Sequence, residues 1–258
     1  GALSEGIHEF NVRFTDSVGN ESTAVSRNFM YDASVPQLSL DQNNTRSESA
    51  SFSITGTASD GQEIDSIEIS QQLDSGSQIT IDTAGPSGTE TWSINNLPRD
   101  PGSIGDYLLA DGEYTYRIIA RDSANRVSSE ETVTVTIDTT APDSLSITSP
   151  SSGQTGINAL SGAAYTLQGN ASDSGVGMAT LYYQITQNPD ASTSIGDYES
   201  LSVGNGNWSE IIDLKPGTGK GPSGEIGEGS WYLHVIAEDA AGNRTLFASA
   251  ETQAFDVD

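Results

Sequence analysis

The sequence has 258 residues, and 36 acidic side chains against 10 basic ones give it a formal net charge of −26. Nucleic acid and anionic membranes are therefore disfavoured as partners, because both require patches of lysine and arginine, whereas cations and basic ligands suit so acidic a surface. The absence of cysteine excludes disulfides and thiolate metal sites. The sequence contains no run of about 18 apolar residues, so it gives no prediction of a membrane-spanning segment.

The first predicted strands, at residues 9–15 and 23–31, alternate apolar and polar side chains with a period of two. Two strands alone cannot bury a sheet face. Residues 1–35 are therefore predicted to be the last two strands of a truncated or split repeat. An unpaired hairpin of this kind has open edges that invite further pairing.

Two longer units follow, at residues 36–140 and 141–258, each with seven predicted strands separated by Gly, Asn, Ser and Pro turns. The strands of the first are 37–40, 50–57, 65–71, 78–82, 90–95, 113–121 and 131–138. Those of the second are 145–148, 164–171, 178–186, 198–203, 207–214, 230–238 and 248–256. Without any helical pattern, these units predict an all-β fold of tandem seven-stranded immunoglobulin-like β-sandwiches in a linear array.

An acidic turn recurs at the end of a predicted strand in all three segments. Its copies run from Asp16 to Asn20, from Asp122 to Asn125 and from Asp239 to Asn243. The strand after each copy closes with an aspartate, which is Asp32, Asp138 and then Asp256 with Asp258. A recurring unit of this length indicates a repeat protein.

Topology predicts where these acidic residues meet. In such a sandwich, the turn after the second strand and the turn between the last two strands lie at one end, where the chain enters. The side chains predicted to converge there are Asp32, Asp60, Glu63, Asp122 and Asn125 in the first unit, and Asp138, Asp173, Asp239 and Asn243 in the second. Carboxylate and amide oxygens are the ligands of Ca²⁺, so we expect one calcium site per unit and half a site at Asp258. The alternative is that these residues only cap turn amides without a metal.

Two stretches carry a family resemblance: Asp-Ala-Ala-Gly-Asn-Arg at 239–244 and Val-Thr-Ile-Asp-Thr-Thr-Ala-Pro at 135–142. They resemble the tandem bacterial immunoglobulin-like repeats of large secreted adhesins, including the RTX and biofilm-associated adhesins of Gram-negative bacteria. The resemblance covers the whole chain in three copies, the first incomplete. It implies that linker aspartates and acidic turns hold calcium, which stiffens the array. Two departures are the missing Thr-Thr after Asp32 and the position of Asn125, one residue earlier than its counterparts.

These features predict a non-enzymatic extender or stalk segment of a bacterial cell-surface adhesin. We expect it to be extracellular and monomeric, with neighbouring repeats of the same polypeptide as partners. One alternative is an adhesin module that binds a host or surface glycan or protein through loops of the last unit, such as residues 188–207 with Tyr198. Another is a set of spacer domains in a secreted polysaccharide-degrading enzyme. No nucleophile–base set is evident, since His8 and His234 both lie in predicted strands.

Overall fold

The computed structural model describes residues 3–42, 44–61, 63–84, 90–100, 102–157, 164–192, 194–213, 226, 228–246 and 250–258. Regular structure in these ranges is β, apart from one 3-10 turn at Ile195–Asp197. Among the described residues, no helix has the length and apolar character needed to cross a membrane.

The N-terminal strands form a two-stranded antiparallel sheet of their own. Strand β1 (Gly6–Val12) pairs with β2 (Val25–Tyr31), with Gly6 opposite Tyr31 and Val12 opposite Val25. The first strand was predicted at residues 9–15, but β1 ends at Val12. Beyond it, Thr15 and Glu21 form only an isolated bridge beside the acidic turn. The apolar side chains of this hairpin are exposed, Phe10 by 60% and Phe29 by 43%.

The next strands form a three-stranded and a five-stranded sheet. They are β3 (Gln37–Leu40), β4 (Thr45–Glu48), β5 (Phe52–Ser59), β6 (Ile64–Leu73), β7 (Ile79–Ala84), β8 (Glu90–Leu97), β9 (Arg99–Asp100), β10 (Ser103–Tyr107), β11 (Gly112–Asp122) and β12 (Glu131–Ile137). The sheet orders are β3-β5-β8 and β4-β12-β11-β6-β7, and β9 and β10 form a separate small pair. That pair lies between β8 and β11, within residues 98–111.

The last strands repeat this arrangement. They are β13 (Ser144–Ser149), β14 (Gln154–Ile157), β15 (Ala164–Ser172), β16 (Met178–Thr186), β17 (Glu199–Ser202), β18 (Gly206–Asp213), β19 (Gly229–Asp239) and β20 (Glu251–Val257). The sheet orders are β13-β15-β18 and β14-β20-β19-β16-β17. These are the strand orders of an immunoglobulin-like sandwich whose first strand is divided between the two sheets. The predicted fold class is therefore confirmed.

Alternating side chains of the two sheets build each core. In the last sandwich, Leu167 of β15, Trp208 of β18 and Leu233 of β19 belong to one buried apolar cluster. In the preceding sandwich, Phe52 and Tyr116 meet edge to face, with ring centroids 5.7 Å apart. Such alternation of inward apolar and outward polar positions is what period-two strands produce.

The contacts divide the chain into two compact units. One comprises Gly1–Asn44, Phe52–Leu108 and Thr115–Thr134, and the other comprises Thr45–Ser51, Leu109–Tyr114 and Val135–Asp258. The repeat boundaries predicted after residues 35 and 140 remain predictions. Most of the segment between β18 and β19, at residues 214–228, lies outside the described residues.

Candidate metal centres

Six of the nine predicted ligands form two groups of three carboxylates. The groups are Asp32, Asp60 and Asp122, and Asp138, Asp173 and Asp239. In each group, one oxygen from every carboxylate lies within 4.8 Å of the others. Each group combines an aspartate of the segment that leads into a sandwich, one from the loop after β5 or β15, and one at the end of β11 or β19, as the topology predicts.

In the second group, the linker aspartate is held by backbone and hydroxyl donors. Asp138 Oδ1 accepts hydrogen bonds from Thr140 N at 3.0 Å and Thr140 Oγ1 at 2.7 Å, and Asp138 Oδ2 accepts one from Val176 N at 3.2 Å. Asp173 Oδ2 accepts a hydrogen bond from Gly177 N at 2.7 Å. Asp173 Oδ1 is buried without a hydrogen-bond partner in the part of the chain that the structure describes, and Asp173 as a whole is only 4% exposed.

The third carboxylate of this group is fixed by the recurring turn. Asp239 Oδ1 accepts hydrogen bonds from Ala241 N at 2.8 Å and Asn243 N at 2.9 Å, and Oδ2 accepts one from Asn243 Nδ2 at 2.8 Å. The same Nδ2 also donates to the carbonyl oxygen of Asp138 at 2.9 Å. The Asn243 amide thus ties the turn to the linker, and its nitrogen faces the acceptors.

A glycine in the loop after β15 permits the close approach of Asp138. A Cβ placed on Gly175 would stand 2.0 Å from Asp138 Oδ2 and 2.7 Å from its Cγ. Real Cβ atoms do not tolerate such distances, so the backbone comes this near to the carboxylate only because residue 175 has no side chain.

The first group is built in the same way. Asp32 Oδ1 accepts hydrogen bonds from Ser34 N at 3.0 Å and Ser34 Oγ at 2.7 Å, and Asp122 Oδ1 accepts one from Arg126 N at 2.8 Å. The second oxygens of Asp32 and Asp122 are buried without a partner among the described residues. The hydrogen bonds from Ser34, together with the positive charge of Arg126, lower the pKa of Asp32.

The recurring turn has the same backbone geometry in all three copies. Gly19, Asn125 and Gly242 each have a positive φ, of 94°, 66° and 90°. Each of them donates its N–H to the carbonyl of the turn aspartate, at 3.1, 3.0 and 3.2 Å. Asn125 therefore occupies the position that glycine holds in the other two copies. Asparagine is among the few residue types besides glycine that tolerate a positive φ.

The structural counterpart of Asn243 is consequently Arg126 and not Asn125. The turn aspartate donates its N–H to the carbonyl four residues on, which belongs to Asn20, Arg126 and Asn243 in the three copies. The side-chain oxygen of Asn125 accepts a hydrogen bond from Arg121 Nη1 at 3.0 Å. Asn125 is exposed, and its amide oxygen is used in this bond to the Arg121 guanidinium.

Glu63 and Asp16 belong to neither of these groups. The backbone oxygen of Glu63 accepts a hydrogen bond from Ser123 N at 3.1 Å, and its side chain is exposed. Asp16 accepts hydrogen bonds from Val18 N, Asn20 N and Asn20 Nδ2, and the Asn20 side chain is the main reason that its pKa is lowered. The exposed first copy therefore shows how the turn behaves without a carboxylate group around it.

Burial of three carboxylates together is unfavourable unless their charge is compensated. The two groups offer only oxygen atoms, which suits hard cations such as Ca²⁺, whereas Zn²⁺ prefers nitrogen and sulfur. Hydrogen bonds hold these oxygens in both groups, and in the second group the close approach that Gly175 permits adds to this. The donor set thus fits a calcium ion held by the linker and two turns.

The loop at residues 188–207, which was considered for ligand binding, makes hydrogen bonds within itself. Tyr198 OH donates a hydrogen bond to Ser192 O at 3.1 Å, across the 3-10 turn. His234, in β19, is fully buried, with its ring nitrogens 2.9 Å from Thr252 Oγ1 and 3.0 Å from Asn188 O. These aromatic side chains therefore organise the loop.

The sequence matches no protein-family model and no curated protein sequence. Similar solved structures include fibronectin(III)-like modules of Clostridium thermocellum CbhA, with 14% identity and a TM-score of 0.46 over 86% of this chain and 94% of that chain. The D00-D0 domain of Intimin has 14% identity and a TM-score of 0.32 over 87% and 100% of the two chains. Dimeric latent PorU from Porphyromonas gingivalis has 13% identity and a TM-score of 0.30 over 97% and 24%. At these values the likeness carries no inference about function.

Proposed function

We propose that this chain is a non-enzymatic extender segment of a bacterial cell-surface adhesin, stiffened by calcium at its linkers. The observation that carries the proposal is the repeated convergence of a buried linker aspartate with two turn aspartates, which are both buried in the second group and of which Asp60 is half-buried in the first. Without a cation, the three negative charges repel, and the linker is free to leave the pole of its sandwich. With Ca²⁺ bound, the same charges attract one ion and the linker direction is fixed.

An extracellular location follows from the same proposal. Calcium sites of extracellular modules typically bind with dissociation constants of about 10⁻⁴ to 10⁻³ M, which suits an environment of high calcium. A net charge of −26 also keeps such a surface soluble and disfavours self-association. A chain of sandwiches would then display a distal module at a distance from the cell, and each sandwich contributes its length.

The test is thermal and urea unfolding of the whole chain in Ca²⁺ and in chelator. Calcium at about 100 times its dissociation constant should stabilise the folded state by about 2.7 kcal/mol. Asp173→Asn removes a negative charge at the unpartnered oxygen of the second group and should reduce this increment, whereas Asp16→Asn, in the exposed turn, should keep it.

Small-angle scattering of the same samples would report stiffening as a narrower distribution of maximum dimensions in Ca²⁺. An unfolding free energy that is identical in Ca²⁺ and in chelator would refute the calcium proposal. A calcium-dependent stability without any change in scattering would refute the mechanical role and leave the ion as a stabiliser of single domains.

A further inference from the structure

The two carboxylate groups differ in one residue that touches both the turn and the linker. In the second group this residue is Asn243, and in the first group the same turn position is held by Arg126. Both backbones donate an N–H to the turn aspartate, Asn243 to Asp239 at 2.9 Å and Arg126 to Asp122 at 2.8 Å. The exchange is therefore between a neutral and a cationic side chain on an unchanged backbone.

Both side chains also reach a carbonyl of the linker. Asn243 Nδ2 donates to Asp138 O at 2.9 Å, and Arg126 Nη1 donates to Ser34 O at 3.1 Å. Ser34 in turn donates to Asp32 at 2.7 Å through its hydroxyl. The guanidinium is thus placed at the linker in the first group, where the second group has only a neutral amide.

The electrostatic consequence is a difference of one full charge. Three carboxylates and Arg126 sum to −2 in the first group, whereas the second group keeps −3. The arginine next to the second turn, Arg244, is paired with Glu238 and lies over the Tyr182 ring, 5.4 Å from its centroid. A cation that is already present repels an arriving Ca²⁺ and also compensates part of the repulsion that Ca²⁺ would relieve.

We infer that Arg126 sets the relative cation affinity of the two sites. The Asp138 site binds Ca²⁺ the more tightly, and the Asp32 site is partly compensated by Arg126, so its linker stays closed when calcium is low. This inference rests on the proposed function, because it assumes that both groups bind Ca²⁺. It adds that the two linkers respond to different calcium concentrations.

The experiment is a Ca²⁺ titration of the isotope-labelled whole chain followed by amide NMR. The amides of Val176 and Gly177 report on the second group, because both donate to its carboxylates, and the Ser34 amide reports on the first. We expect the dissociation constant for Ca²⁺ to be at least about tenfold lower at the second group than at the first. The reason is that the second group has one more net negative charge close to the ion, in a site with little solvent to screen it.

Two reciprocal variants and one control decide the cause. Arg126→Asn should tighten the first site to within about threefold of the second, Asn243→Arg should weaken the second by about tenfold, and Arg126→Lys should leave the first weak because the charge remains. Equal affinities in the unmodified chain, or an Arg126→Asn variant that binds as before, would overturn the inference. Absence of any calcium response at the Val176 and Gly177 amides would instead refute the proposed function.

If Arg126→Asn does not fold, as judged from its amide spectrum, the Asn243→Arg variant still decides the question. Its second site must lose affinity while the Ser34 amide titrates as in the unmodified chain. An unchanged second site in this variant would show that charge at this turn position does not control binding.

Discussion

A single methyl group at residue 175 should disable the second carboxylate group. In Gly175→Ala, the new Cβ would lie 2.0 Å from Asp138 Oδ2, so the two atoms must separate by about 1.4 Å to reach ordinary contact. The first interaction lost in this movement is the hydrogen bond from Val176 N, at 3.2 Å. Loss of a hydrogen bond to a charged group costs about 1.5–3 kcal/mol, which is the expected decrease in the free energy of unfolding.

The assay is urea unfolding with and without Ca²⁺, since the displaced carboxylate should also lose its place in the proposed calcium site. The calcium increment of the second sandwich should disappear in Gly175→Ala. Gly61→Ala is the matched control, because a Cβ there would lie 3.4 Å from Ser34 Oγ, an ordinary contact beside the first group. If Gly175→Ala kept both the stability and the calcium increment, Asp138 would not be held against the loop as described.

Two further predictions concern the second sandwich itself. Gly169→Ala would place a Cβ 2.0 Å from Ser146 O and 2.4 Å from Trp208 Cζ2, so it should lower the free energy of unfolding by at least about 2 kcal/mol, whereas Gly204→Ala, where no atom lies within 4 Å, should leave it nearly unchanged. Burial lowers the pKa of His234 below 6.5, although the hydrogen bond to the Asn188 backbone and the charge of Asp190 act to raise it. At mildly acidic pH, the unfolded chain therefore binds more protons at this residue than the folded chain does. Stability should therefore fall as the pH drops from about 7 to 5, and this slope should vanish in His234→Gln but persist in His8→Gln.

The strands could be predicted from the sequence because they bury one face. Period-two patterns located β3 and β16 with their observed bounds, and the other long strands within a few residues. The patterns missed β4 and β14, the short segments of the divided first strand, and also the small pair β9 and β10. Residues such as Thr-Arg-Ser-Glu in β4 carry no alternation, because an edge segment is defined by its partner strand and not by burial.

The carboxylate groups were predictable because topology places distant loops at one pole. Each of the six aspartates lies at the end of a predicted strand or within three residues after it, so a correct strand order was sufficient to bring them together. The contribution of Arg126 could not be found by matching residue names, since Asn125 looks like the counterpart of Asn243. The spacing from the turn aspartate carries the signal: the fourth residue after it is Asn20, Arg126 and Asn243.

The exposed first copy separates what the turn does alone from what the group adds. Asp16 and Asn20 make the same side-chain and backbone hydrogen bonds as Asp239 and Asn243, yet Asp16 is exposed, whereas Asp239 is 1% exposed. Turn capping therefore explains the Asp–Asn pair but not the burial of two further carboxylates beside it. Burial of that charge is unfavourable unless it is compensated, and the proposed Ca²⁺ would supply the compensation in both groups.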